Sequence, residues 1–247
     1  MSWQALEEEL TRWRDAGRTA DFWWRDDDAT APSALVRQLL QLSKRSGVPL
    51  ALAVIPLGAA PELFEALGAA TVLMHGTDHR NRASAAEKKS EFPLAESEAE
   101  AIARLAAARE RLERLAGGSF LPVLAPPWNR FKRSLIARLP ESGLHGISGY
   151  GARLSGQPGV TEVNTHVDII DWKTRRFMGE AAALRAAVKH LAARREGSAD
   201  AHEPTGWLTH HELHDAPTWL FLEQLFERTR KSGARWADAK RLFPSRA

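Results

Sequence analysis

The sequence predicts an α/β fold in which parallel strands are covered by helices, closed as a barrel or left as an open sheet. Three observations predict it. Short apolar runs of strand length alternate with helix-period segments along the chain. Polar strings recur where those runs end, at Asp26 to Asp28, His75 to His79, Pro126 to Arg130, Asp168 to Trp172 and His210 to His214. The length, 247 residues, is one at which such barrels form a single unit.

Each element has its own signal. Residues 3–15 read as an amphipathic helix, and residues 20–25 as a strand. Over 32–46, Leu35, Leu39, Leu40 and Leu42 recur at helical spacing. The run from Leu50 to Ile55 is the cleanest strand and stops at Pro56, which cannot donate to a ladder. A short helix at 61–67 leads to a strand at 71–74. An Ala- and Glu-rich helix covers 95–115 and ends at Gly117 and Gly118. A strand at 120–124 ends at Pro126 and Pro127, and a helix at 131–138 precedes a short strand at 144–148. Residues 150–165 are rich in turn formers, and 167–170 form a weaker strand. A long helix at 179–195, a polar linker at 196–205 and a strand at 206–209 follow. A helix at 217–232 and a short C-terminal helix complete the chain. No internal repeat interrupts the alternation, so residues 1–247 are expected to form one domain.

Composition narrows the function. The 44% hydrophobic and 26% charged content is ordinary for a globular core. The net charge is +3, and its charges are interspersed, as in Glu110 to Arg114, so no basic block points to nucleic acid. Without cysteine, disulfides and thiolate metal sites are excluded. The first residues lack a basic start followed by an apolar run, and no stretch is apolar enough to span a bilayer. A cytoplasmic protein with no membrane partner is therefore expected.

The strings carry chemistry. Three consecutive Asp residues repel one another unless a cation or strong donors offset the repulsion. The bland reading is a solvated loop that caps the next helix. His75 and His79 are four apart, and a helical turn between them would put both imidazoles on one face. Two His plus one Asp would leave a metal with an open position, the pattern of catalytic zinc. His210, His211 and His214 follow the last strong strand, where a His poised by Asp168 or Asp171 would protonate a leaving group. Trp128, Trp172 and Trp207 lie beside these strings, either as packing under loops or as an apolar wall for a small acyl group or sugar face.

With these strings in order, the chain resembles the polysaccharide deacetylase family, the NodB-type esterases of carbohydrate esterase family 4, as a divergent member. The first family motif, paired Asp and a small residue, is matched by Asp27-Asp28-Ala29, with Asp26-Asp27 as the other register. The second, His-Ser/Thr-x-x-His, appears at His75 to His79 with Gly76 in place of the hydroxyl residue, and His79 to Asn81 continues a divergent form. Pro127-Trp128, Asp171-Trp172 and Leu208-Thr209-His210 match the remaining three. The motifs run from 25 to 211, most of the chain.

The resemblance implies a distorted barrel of strand–helix units. It implies Asp28, His75 and His79 as metal ligands and Asp27 as the base acting on a metal-bound water. His210 would be the acid, with His211 as the alternative, and Asp171 would orient it. Trp128, Trp172 and Leu208 would contact the substrate. The family's third motif begins with an Arg that steadies the base, and Ala125 stands there instead. Arg25 or Arg130 is the expected substitute. One divalent ion, with zinc favoured, would be the cofactor, and a small amide or oligosaccharide the substrate. The expected activity is removal of an acyl group, N-acetyl foremost, from an amino sugar. The alternative is a non-catalytic relative that binds metal or glycan. Residues 80–94, with Glu91 and Phe92, are expected to fold over the rim and help select substrate.

Overall fold

The computed structural model describes residues 2–153 and 156–244, so residues 154 and 155 of the turn-rich stretch lie outside the described residues. The elements are α1 (Trp3–Asp15), β1 (Asp21–Ala29), α2 (Ala34–Ser46), β2 (Ala51–Val54), α3 (Glu62–Ala66), β3 (Thr71–His75), α4 (Glu98–Ala116), β4 (Phe120–Ala125), α5 (Arg133–Ile136), β5 (Gly146–Ile147), β6 (Thr161–Glu162), β7 (Val167–Asp168), β8 (Ile170–Asp171), β9 (Arg176–Phe177), α6 (Glu180–Glu196), β10 (Thr205–Thr209), α7 (Ala216–Lys231), β11 (Arg235–Trp236) and α8 (Ala239–Leu242).

The main sheet runs β6-β5-β4-β3-β2-β1-β10-β7, with neighbours paired in parallel. It curls into a half-barrel with helices around it, the distorted barrel the sequence predicts. β11 lies parallel to the start of β1, at Asp21 and Phe22. The weak strand expected over 167–170 divides: β7 joins the sheet, and β8 turns away into an antiparallel hairpin with β9. β6, β9 and β11 are two residues each, too short to leave an apolar run in the sequence. β1 extends to Ala29, past its expected end at Arg25, because β10 and β2 pair with the Asp segment, as in Asp26 with Thr209 and Ala29 with Val54.

Strand alternation sorts the core into two layers. Phe22, Trp24, Val72, Met74, Leu124 and Trp207 face the helices and join the larger apolar cluster. Trp23, Ala51, Ala53, Leu73, Val123 and Ala125 face the bore. The bore is narrow, and its small residues make room for Trp23. A Cβ on Gly206 would lie 2.4 Å from Trp23 Nε1. Ala239 and Phe243 join the bore cluster from the segment after β11, closing the amino ends of the strands. The carboxyl ends stay open to the loops that carry the polar strings.

Helix ends are well capped. Ser33 accepts from Val36 N–H and Ser97 from Glu100 N–H, the latter in a reciprocal capping box. These caps fix where α2 and α4 begin, and therefore the length of the loops between strand end and helix. Among the described residues, no helix is long and apolar enough to cross a membrane.

Candidate active site

The alternation of β1 splits its charged run. Arg25 and Asp27 share the face of Trp23 and point into the bore, while Asp26 shares the face of Trp24 and points toward the helices. The register of β1 against β2 then shifts between Asp26 and Ala29, and Asp28 has a left-handed backbone at φ 74°. That irregularity turns Asp28 toward β3.

There Asp28 Oδ1 lies 3.0 Å from His75 Nε2 and 3.3 Å from His79 Nε2. The ligand atoms of the trio all fall within 4.8 Å of one another. The turn joining the two His is not helical. His75 closes β3, Gly76 takes φ 62° and His79 takes φ 57°, so two left-handed residues bring the imidazoles together. Among the described residues, four of the five non-Gly residues at positive φ are Asp28, His79, Trp128 and Asn129, and the strained backbone therefore gathers at this rim.

His75 Nδ1 is 2.9 Å from the Ala125 carbonyl. A carbonyl only accepts, so Nδ1 carries the proton and Nε2 offers its lone pair to the trio. Burial favours a neutral Asp28, but the His75 hydrogen bond and the charges of His75, His210 and His79 outweigh it and hold the carboxyl below its usual range. Burial opposes charge on His75 too, yet Asp27 and Asp28 reverse the sign and raise its pKa. His79 is lowered, by burial and then by His75. Two imidazoles and one carboxylate whose ligand atoms converge in this way fit a divalent cation.

Arg25 is the guanidinium that reaches Asp27. It is fully buried, donates from Nη2 to Asp27 Oδ2 at 3.0 Å and brings Nε within 2.9 Å of Asp27 Oδ1. Its other hydrogens go to Ser148 O (2.5 Å), Ser148 Oγ (2.7 Å) and Asn129 Oδ1 (2.8 Å). Arg130 turns away from Asp27 and donates to the Lys89 carbonyl at 2.8 Å. Ser148 and Asn129 escaped the sequence reading. Asn129 lies in the Pro126 to Arg130 string, but nothing local marks Ser148.

At the other side, His210 is 6% exposed, with Nδ1 4.0 Å from Asp168 Oδ1. Asp168 accepts from Trp172 Nε1 at 2.6 Å, and the Trp172 ring meets His210 edge-on at 4.7 Å. Of the two carboxylates left open by the sequence, Asp168 faces His210. Asp171 binds Lys173 N–H (3.0 Å) and Thr174 Oγ1 (3.1 Å) within its own turn. Burial raises the Asp168 carboxyl, against the pull of His210 and Trp172. The two sides share one field: the charge of Asp27 acts on His75 and Asp168, and that of His210 on Asp28.

His211 belongs elsewhere. Its Nδ1 lies 2.6 Å from Asp26 Oδ1 on the outer face of β1, where Thr209 Oγ1 also donates to Asp26 at 2.6 Å. Leu208 is buried on the bore face, one strand repeat below His210. Trp128 lies 4.5 Å from His79, ring to ring, and Trp172 is half exposed. Trp207 is fully buried against Phe22 and Phe221, a core residue rather than a substrate wall. Glu91 and Phe92, expected on a lid, are buried instead, and Phe92 packs edge-on against Phe131 at 5.0 Å.

No family model matches the sequence, and no curated protein matches it. Solved structures do. A peptidoglycan N-acetylglucosamine deacetylase is 16% identical, with a TM-score of 0.59 over 92% of this chain and 90% of that one. A family 4 acetyl xylan esterase from Clostridium thermocellum, in complex with a cobalt ion, is 14% identical, with a TM-score of 0.57 over 90% of each chain. A carbohydrate esterase family 4 pseudoenzyme from Bacillus anthracis is 15% identical, with a TM-score of 0.60 over 91% of this chain and 66% of that one.

Proposed function

We propose that this chain, which has the fold of the polysaccharide deacetylases, is a divergent metal-dependent hydrolase that removes an acyl group, N-acetyl foremost, from an amino sugar or glycan-like substrate. The observation that carries this reading is a convergence of buried charge at one strand-end rim. Asp28 Oδ1 lies 3.0 Å from His75 Nε2 and 3.3 Å from His79 Nε2, Asp27 Oδ1 lies 2.9 Å from Arg25 Nε, and His210 Nδ1 lies 4.0 Å from Asp168 Oδ1. Three candidate ligand atoms within 4.8 Å of one another, beside a second carboxylate and an imidazole, are the parts such a reaction uses.

Asp28, His75 and His79 would hold the cation. A divalent ion there supplies a Lewis acid for the acyl carbonyl and brings the pKa of water near neutrality. Zinc is favoured by two imidazoles and one carboxylate. Asp27 would take the proton of the attacking water, its two carboxyl oxygens facing Arg25 Nε at 2.9 Å and Nη2 at 3.0 Å. Arg25 fixes the Asp27 side chain, with its own position set by Ser148 and Asn129. His210 gives a proton to the departing nitrogen, steadied by Asp168 and Trp172. Trp128 and Trp172 flank the two ends as apolar surfaces for the acyl group or sugar face.

The fold shared with a pseudoenzyme supports a second reading, a protein that binds metal or glycan without turnover. One experiment separates the two. The chain is stripped with a chelator, reloaded with zinc or cobalt, and assayed for acetate release from acetylated amino sugars and their oligomers. Release that depends on metal and disappears in Asp27→Asn and His210→Ala supports the hydrolase. Metal uptake with no release from any acylated substrate supports the binding protein. Full activity in Asp27→Asn would sink the base assignment.

A further inference from the structure

The stretch between the second motif and α4 conceals a carboxylate that the mechanism does not use. Glu91 is fully buried, fourteen residues beyond Thr77. Its Oε1 accepts from Thr77 N–H at 2.9 Å and from Asp78 N–H at 3.0 Å, and its Oε2 from Thr77 N–H at 3.1 Å. The Thr77 hydroxyl also donates to it. Thr77 and Asp78 are interior residues of the turn that joins His75 to His79. Two successive backbone N–H groups aimed at one carboxylate form an anion nest.

The surroundings commit Glu91 to that position. Arg104 and Arg82 each bring Nη1 to 3.6 Å from its Oε1. Arg104 also donates to Thr77 Oγ1 at 2.9 Å and to the Glu91 carbonyl at 3.2 Å. The chain reaches Glu91 through a closed excursion. Arg82 N–H donates to the Ser90 carbonyl at 2.9 Å, and Asn81 Oδ1 accepts from Ser90 N–H at 2.9 Å. Gly76 completes the arrangement. A Cβ there would lie 1.9 Å from Glu91 Oε2 and 2.6 Å from Pro127 Cγ. The Gly that replaces the usual hydroxyl residue of the second motif is therefore the space Glu91 occupies.

We propose that Glu91 is a positioning residue that clasps the His75–His79 turn from beneath and sets the geometry in which both imidazoles meet one cation. This rests on the metal-site reading above. A buried carboxylate is costly unless its bonds are used, and here they all go to the turn between two ligands or to its supporting Arg residues. The loop expected to act as a lid is, on this account, the arm that delivers the clasp.

The test is cobalt binding by the full chain, followed by titration and by the visible absorption spectrum of the bound ion. Glu91→Gln keeps the shape and the acceptor oxygen but loses the charge, and Glu91→Ala loses both. Orienting partners of metal ligands typically change affinity by about 10–100-fold, and we expect losses in that range with an altered cobalt spectrum, larger for Ala than for Gln. Thermal unfolding of the metal-free Gln variant is expected to stay close to wild type, which separates positioning from folding. Should Ala fail to fold, Gln alone decides. Wild-type affinity and spectrum in Glu91→Gln would overturn the clasp and leave the metal site standing. Failure of the wild-type chain itself to take up cobalt would overturn the metal site on which the clasp rests.

Discussion

Arg25 and Asp27, two positions apart on β1, form an ion pair that is 0% and 2% exposed. Breaking a buried pair from one side leaves the other charge uncompensated, at a cost of about 3–5 kcal/mol. Arg25→Ala is therefore expected to lower unfolding free energy by that order in urea titration. Arg25→Ala with Asp27→Ala should cost less than the two single changes added together, because the double variant strands no charge. Additive losses would show that the pair is not coupled.

Asp168 and Asp171 make opposite predictions in one assay. Asp168→Asn removes the charge that faces His210 but leaves an acceptor for Trp172 Nε1. It is expected to cut turnover about 10–100-fold, as loss of a residue that steadies a general acid does. Asp171→Asn disturbs only the Lys173 and Thr174 turn bonds and should stay within a few-fold of wild type. Steady-state kinetics on the substrate found by the acetate screen decides, and the reverse order would restore Asp171 to the acid.

Two imidazoles away from the cation trio, His214 buried and His190 half-buried, predict acid sensitivity. Burial, then the charges of His166 and Arg194, lowers the His190 pKa from 6.5 to about 3. Burial also lowers His214 from 6.5 to about 4, with Asp26 opposing. The unfolded chain binds both protons near pH 6.5, whereas the folded chain binds them only near those lower values. Between the two limits the unfolded state holds more protons, so stability falls as pH falls. Melting temperature should decline from pH 6.5 toward 4, and His190→Gln should flatten that slope. An unchanged slope in the variant would assign the acid sensitivity to other groups.

Gly206 tests the filling of the bore. A side chain there would meet Trp23 Nε1 at 2.4 Å, the Asn164 carbonyl oxygen at 2.6 Å and Thr165 Cα at 2.7 Å. Two of these are backbone atoms that a rotamer change cannot move. Gly206→Ala is expected to cost about 1–3 kcal/mol or more, as overpacking does. A neutral result in chemical denaturation would mean that β10 shifts freely against β1.

How much of this was legible depended on distance along the chain. The helices over 3–15 and 179–195 and the strand over 50–55 were readable because each carries its own apolar period, and the structure has them at Trp3–Asp15, Glu180–Glu196 and Ala51–Val54. The His75 and His79 pair was readable because both ligands sit in one short turn, although two left-handed residues bring them together rather than a helix. Strand parity alone puts Arg25 and Asp27 on one face. The anchors of Arg25 were not readable, because Asn129 and Ser148 lie 104 and 123 residues away. Glu91 falls in the stretch expected to fold over the rim, and its inward position was not readable, since its burial is created by Arg104 and by the turn it binds.

Asp27 and the guanidinium that pairs with it lie on one strand in this chain. Loops can lengthen, shorten or be exchanged around the rim without separating them, which is not true when the Arg comes from the end of another strand. Ala125 at the end of β4 is then no sign of decay, because its carbonyl still orients His75. Descent could move the guanidinium from one wall of the bore to another while the atom it serves stays fixed. Judged by the position of its Arg, such a chain would be grouped with inert cousins. Judged by the oxygen that Arg reaches, the contact is intact here.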